Sequence, residues 1–294
     1  MLEDVKKNKF KTGIIVSIFI VMITLIVYYV CYAFDLGPMS IVIALAVSIT
    51  SAWSSYYYSD KIILKMSNAR PATEEEDKKL INILDSLMVA SGLPARPKLY
   101  VMDSPQMNAF ATGRNPQNSV ICVTSALLEN LEYYELEGVV AHEMAHIKNY
   151  DIRLSAVISV MVGLVVMLSD IFTRVFIFSD RDNNKNPILM IVGLICLILA
   201  PIFSTLIQLA VSRRREYLAD ATAVEFTRNP QGLIDALLKL NGDTRKLGSE
   251  SSATAHMYIV NPFKKGLRAK RKSTSLLSTH PSIEDRVEAL RNIR

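Results

Sequence analysis

The chain has 294 residues, half of them hydrophobic and 21% charged, with a formal net charge of +5. A mean hydropathy of +0.25 is high for a soluble globular chain and points to a membrane protein. Its three cysteines, Cys31, Cys122 and Cys196, show no CxxC spacing and sit in apolar runs, which excludes a disulfide framework; no nucleic-acid-binding motif accompanies the positive charge.

In chain order, the first element is Gly13 to Phe34, a run with no Asp, Glu, Lys, Arg or His. It is long enough for a hydrocarbon core, which takes roughly 20 helical residues. Lys6, Lys7, Lys9 and Lys11 precede it, but the run is too long for a signal-peptide core and no small-residue cleavage site follows, so it is expected to stay in the protein. A second uncharged run, Met39 to Ser59, follows the short "DLGP" turn. Leu154 to about Phe178 and Pro187 to Ser212 are the third and fourth expected spans, the third meeting Asp170 and Arg174 near its far end. Lys61, Lys65 and Arg70 follow the second run and Arg213, Arg214 and Arg215 the fourth, whereas the turns between paired runs carry few cations. The positive-inside rule then places both termini and both long polar regions in the cytoplasm.

The polar region after the second run is expected to open with a Pro-containing linker and then a helix with Thr73 as N-cap and Glu76 three residues on, ending near Gly92. "KLYVM", "NAFATG" and "SVICVT" read as three short strands between turn-rich pieces. "YYELEGVVAHEMAHIKNYDIRL" reads as a helix running almost straight into the third span. Arg213 to Leu240 is helical in pattern, Asn241 to Ser275 is polar and basic, and "HPSIEDRVEALRNI" closes as a helix started by Pro281 and Ser282. The boundaries expected are a membrane hairpin at 1–60, the first half of a cytoplasmic domain at 61–153, a second hairpin at 154–212 and the second half at 213–294.

The chemistry concentrates at "VVAHEMAHIKNYD". Residues four apart share a helix face, so His142 and His146 can offer nitrogens to one ion, and Glu143, about 100° round the helix, falls beside an open coordination position. In H-E-x-x-H the two imidazoles hold zinc and the carboxylate takes a proton from water. Two histidines that merely share a helix face are the competing reading, and chance matches to this pattern are rare. A catalytic zinc wants a third protein ligand. The metzincin continuation fails, since Asn149 and Ile152 stand where it needs glycine and histidine, and twenty residues on the chain is "SVMVGLVVML". In "RRREYLADA", Glu216 and Asp220 lie four apart on one face: Glu216 is the candidate third ligand and Asp220 a carboxylate to fix a histidine tautomer. A solvated helix face is the alternative there, and for Arg213 to Arg215 a positive-inside anchor is the preferred reading.

The order of four spans, "NAFATG", "HEMAH", "RRREYLADA" and "STHP" resembles the HtpX-type membrane-bound zinc metalloproteases, which are related to the CAAX prenyl endopeptidases. The resemblance covers essentially the whole chain. It implies an α+β, zincin-like metallopeptidase domain combined with four transmembrane helices, one Zn2+ per subunit, and residence in the bacterial cytoplasmic membrane with the active site cytoplasmic. By motif, His142, His146 and Glu216 match the zinc ligands, Glu143 the general base and Asp220 the supporting carboxylate. It also implies proteolysis of damaged or misassembled membrane proteins, with membrane-protein or unfolded-protein segments and the lipid bilayer as partners and no nucleic acid.

Three further expectations concern substrate. Asn108, Ala109, Phe110 and Ala111 of "NAFATG" have the look of an exposed edge strand to which an extended peptide adds its backbone. His280 of "STHP", with Arg286 beyond it, is a candidate donor near the oxyanion, against a plain helix start with Ser282 as N-cap. His256 reads as a packing residue, and the cations from Lys264 to Lys272 as a solvated loop or a contact to anionic lipid. A non-catalytic zinc-binding adaptor is the main alternative function, disfavoured by Glu143; a metal carrier is disfavoured because three of the four spans hold no ionisable residue.

Overall fold

The computed structural model describes residues 2–33, 37–161, 163, 213–243, 245, 257–259 and 281–293. Helix α1 (Leu2–Ala33) and helix α2 (Met39–Tyr57) pack along each other. The contact follows from α2 residue size: Ser40, Ala44, Ser48 and Ala52 are small, buried and four apart, which lets two helical backbones approach. The Thr24 hydroxyl donates to Ser48 Oγ across the contact at 2.9 Å. The outward faces keep Ile14, Ile18, Val21, Leu25, Ile41, Val42, Leu45 and Ile49 exposed. Among the described residues α2 is the one helix long and apolar enough to cross a membrane. The expected third span is described only through its first residues, helical over 151–161, and the fourth lies outside the described residues.

After α3 (Ser59–Met66) the polar part alternates helices with a small sheet: β1 (Arg70–Pro71), α4 (Lys78–Ser91), β2 (Lys98–Met102), β3 (Ala109–Asn115), β4 (Asn118–Thr124), α5 (Ser125–Asn130) and α6 (Tyr133–Lys148). From residue 213 come α7 (Arg213–Thr227), α8 (Pro230–Gly242) and, among the last described residues, α9 (Ile283–Arg291). The sheet order is β1-β2-β4-β3, with β2 and β4 parallel and the other pairs antiparallel. One sheet face, through Val101, Ala109, Ala111, Ile121 and Val123, joins the large core built with α4, α6, α7 and α8. The other, through Met102, Phe110, Val120 and Cys122, packs on Ile63, Leu64, Ala156, Val160 and Tyr258. Strand β3 is therefore at the end of the sheet and in contact with α6.

Three local expectations change. Helix α4 starts at Lys78 instead of at Thr73, because the Asp77 carboxylate accepts from the Thr73 N–H at 2.9 Å and from Arg70 at 2.7 Å, holding 73–77 as a turn. Arg213 to Leu240 is two helices: Arg228 has φ 53°, and Asn229 caps α8 by accepting from the Gly232 N–H at 3.3 Å, with Pro230 in its first turn. The helix bearing "HEMAH" does not run straight on; it stops at Lys148, and Tyr150 takes a left-handed φ of 60° before helix resumes at 151. Helix α9 begins as expected, Ser282 accepting from the Asp285 N–H at 3.0 Å.

Candidate metal centre

Helix α6 is held at its start by a reciprocal cap in which the Glu132 N–H donates to Glu135 at 2.7 Å. Midway along it, Gly138 meets the backbone of α8: a Cβ there would stand 2.8 Å from Leu233 Cα. The absence of a side chain lets α8 press α6 into the core, with His142 (1% exposed) and Glu143 (3%) buried one turn further on. Helix α7 packs against α6 and presents Glu216 (4% exposed) and Asp220 (2%) to it. Burying four such side chains together requires that they satisfy one another or an ion.

The geometry does this in pairs. His142 Nδ1 lies 2.9 Å from Asp220 Oδ1, and His146 Nδ1 lies 3.2 Å from Asp151 Oδ2. A carboxylate only accepts, so each Nδ1 carries the proton and each Nε2 presents a lone pair. Those two Nε2 atoms are 3.2 Å apart, and Glu216 lies 3.7 Å from the first through Oε2 and 3.6 Å from the second through Oε1. Ligand atoms about 2.0–2.2 Å from a tetrahedral ion sit about 3.3–3.6 Å from one another. The donor set of two imidazoles and a carboxylate, at this spacing, fits zinc.

Electrostatics point the same way. Burial lowers the His142 pKa and the nearby Arg286 guanidinium adds to the effect, overriding Asp220, so its ring stays neutral and ready to ligate. For His146 burial opposes charge, but the Asp151 hydrogen bond and Glu216 outweigh it and raise the pKa to about 9. The carboxylates around that ring call for a positive charge, which a divalent ion supplies in place of the proton. Burial, with Glu216 adding, pushes Glu143 up to about 7, although the Ala111 N–H donates to its carboxylate. Asp220 remains below the usual carboxylate range: burial works against ionisation, and Arg286 with the His142 hydrogen bond more than offsets it.

Asp151 enlarges the constellation beyond the sequence reading, and Arg286, read there beside His280 as a donor near the oxyanion, is found backing Asp220. Five residues on an unbroken helix would aim Asp151 about 140° away from His146; the left-handed turn at Tyr150 brings the carboxylate back onto the ring. Arg286, with no exposed surface, reaches from α9 to Asp220 at 2.6 Å and to Glu216 at 3.6 Å. An arginine one turn into a capped helix was visible in the sequence, but nothing there tied it to residues 66 positions away. His280 and His256 lie outside the described residues.

The expected substrate strand is an edge in pairing but is not exposed: Asn108, Ala109, Phe110 and Ala111 are buried. Asn108 faces β4, its carbonyl accepting from the Thr124 N–H at 3.0 Å, so Ala109 and Ala111 turn their backbone groups the other way. On that side the Ile259 N–H donates to the Ala109 carbonyl at 3.2 Å, and Tyr258 sets its ring edge-on to Phe110 at 5.5 Å between centroids. The chain's own segment 257–259 thus covers the beginning of β3, and Glu143 of α6 meets it at Ala111, so the edge is buried.

Residues 74–294 match the family model described as Peptidase family M48. The chain belongs to this peptidase family. Among similar proteins are three bacterial relatives each called Protease HtpX homolog. That of Dictyoglomus thermophilum is 45% identical, covering 98% of this chain and 93% of its own length. That of Caldanaerobacter subterraneus subsp. tengcongensis is 40% identical over 98% and 96%. That of Streptococcus pyogenes serotype M28 is 38% identical, with both chains covered in full. The crystal structure of S. mikatae Ste24p shares the fold with a TM-score of 0.50 at 20% identity, covering 99% of this chain and 67% of that one. Family membership and the His142, His146, Glu216 cluster together make this M48 member a metalloprotease.

Proposed function

We propose that the chain is an integral-membrane zinc endopeptidase that hydrolyses peptide bonds at the cytoplasmic face of the bacterial cytoplasmic membrane, acting on damaged or misfolded membrane proteins. The observation that carries this reading is the convergence of His142 Nε2, His146 Nε2 and Glu216 within 4.8 Å of one another, with Glu143 buried beside them. His142, His146 and Glu216 would hold the zinc, which when bound polarises the scissile carbonyl and acidifies a water molecule. Glu143 takes the proton from the attacking water and returns it to the departing amine. Its carboxylate is held by the Ala111 N–H, so the base is fixed against β3. Asp220 and Asp151 aim the two imidazoles, and Arg286 compensates the charge of Asp220 and Glu216.

Placement at the membrane surface is supported by what surrounds α6. Three residues after Asp151, Leu154 begins a buried cluster with Val157, Ile158 and Met161 against Phe19, Ile23 and Ile26 of α1. Arg215 and Glu216 sit at the start of α7, directly after the expected fourth span. The cluster is thus flanked on both sides by the segments read as membrane helices, and substrates would be loops or unfolded stretches presented close to the bilayer. The division at 1–60, 61–153, 154–212 and 213–294 belongs to the same reading.

The test uses the purified full-length chain in detergent. Glu143→Ala is expected to keep zinc and lose cleavage of an unfolded protein substrate, whereas Glu216→Ala loses zinc affinity. Parental cleavage by the Glu143→Ala protein would exclude this mechanism and favour a zinc-binding adaptor.

A further inference from the structure

We propose that Arg215, acting through Asp151, is a positioning residue for His146 and ties the metal centre to both chain ends of the segment 152–214. The proposal rests on the reading of His142, His146 and Glu216 as metal ligands.

Each histidine of the pair is backed by a carboxylate, and each carboxylate by an arginine. On one side His142 Nδ1 bonds Asp220 and Asp220 bonds Arg286, a relay closed among α6, α7 and α9. On the other, His146 Nδ1 meets Asp151 Oδ2 at 3.2 Å, while Arg215 Nη1 lies 3.4 Å from the second oxygen, Asp151 Oδ1. The two oxygens are thus divided between ring and guanidinium, which fixes the carboxylate plane and through it the imidazole.

The second relay differs from the first in where its members sit. Asp151 is the first residue after the left-handed Tyr150, at the head of the helical stretch 151–161. Arg215 is in the first turn of α7, one residue before Glu216. The orientation of this imidazole therefore depends on the two residues that flank 152–214, whereas that of His142 runs through the middle of α7 and through α9. Burial separates Arg215 from its neighbours: Arg213 and Arg214 are exposed, but the Arg215 side chain is 14% exposed and its Asp151 partner 8%. A charge that served only as a membrane-side anchor has no reason to be drawn inward to a carboxylate.

The test measures zinc affinity of the purified full-length chain in detergent by competition with a chromophoric chelator, with melting of the metal-free protein followed in parallel. Arg215→Gln and Asp151→Asn are each expected to weaken zinc binding by about 10- to 100-fold. The double variant should be no weaker than Asp151→Asn alone, since both act on one relay. Arg215→Lys should recover most of the affinity, and Arg214→Gln should bind as the parent does. Parental affinity in Arg215→Gln overturns the proposal, as does equal weakening in Arg214→Gln or additivity in the double variant. Should Arg215→Gln fail to fold, parental affinity in Asp151→Asn overturns it equally. Glu216→Gln separates the two levels: if it too leaves zinc binding unchanged, the ligand reading itself fails, whereas its loss alongside an unaffected Arg215→Gln removes only the relay.

Discussion

Arg286 and Asp220 form a two-bond pair, Nε to Oδ2 at 2.8 Å and Nη2 to Oδ1 at 2.6 Å, with the guanidinium wholly removed from solvent. Removing one partner of a buried ion pair leaves the other charged and unsolvated, at about 3–5 kcal/mol. Arg286→Ala is expected to lower stability by that amount in denaturant titration. Arg96→Ala, which breaks a pair to Asp85 whose side chains are 46% and 54% exposed, should lower it by about 1 kcal/mol or less. Comparable losses in the two variants would show that the Arg286 pair is not the support described above.

Gly138→Ala tests the close approach of α6 and α8. Alanine returns up to about 1 kcal/mol of helix propensity, but the new methyl meets Leu233 backbone atoms at 2.8 Å, and forcing packed elements apart costs about 1–3 kcal/mol. The clash wins, and because α6 carries both histidines the expected result is a lower melting temperature together with weaker zinc uptake. An unchanged or raised melting temperature would mean that α8 yields freely.

Stability should also depend on pH through Asp243. Burial works against its ionisation, but hydrogen bonds from Arg245 and from the Met107 N–H at 2.8 Å outweigh that and hold its pKa below the ordinary value. A carboxyl depressed in the folded state stabilises fully above its unfolded pKa of about 3.9 and loses that contribution as pH falls through the folded value. Asp243→Asn should therefore be less stable than the parent at pH 7, and the gap should narrow as the pH is lowered below about 4. A gap independent of pH would assign the loss to shape alone.

Metal removal gives a fourth measurement. A ligand that binds only the folded state adds RT ln(1 + [L]/Kd), about 2.7 kcal/mol at 100 times Kd. Chelation of the purified protein should abolish cleavage and lower the melting temperature, with both restored by added zinc. In Glu216→Ala the chelator should shift the melting temperature far less.

What could be read from the sequence follows the range of each interaction. The i, i+4 pairs His142 with His146 and Glu216 with Asp220 are helix geometry, and the structure brings all four together as the pattern requires. "KLYVM" is a strand from Lys98 to Met102 as read, and α4 ends at Gly92, whose φ of 62° suits glycine. What escaped depends on backbone events or distant partners. Asp151 joins His146 only because Tyr150 adopts φ 60°, a conformation that a tyrosine does not announce. The parallel pairing of β2 with β4, and the two-residue β1 against β2, arise from tertiary contacts with no local pattern. The exposure expected of β3 failed because its cover, Tyr258 and Ile259, comes from about 150 residues further along the chain.

The division of the candidate ligand set between α6 and α7 sets an order of events during synthesis. His142, Glu143 and His146 leave the ribosome well before Glu216, and Arg286 later still. A nascent chain with only its first half made holds two imidazoles and Glu143 but neither the Glu216 carboxylate nor the Arg286 guanidinium beside it. The candidate metal centre is therefore complete only once α7 and α9 have docked on α6.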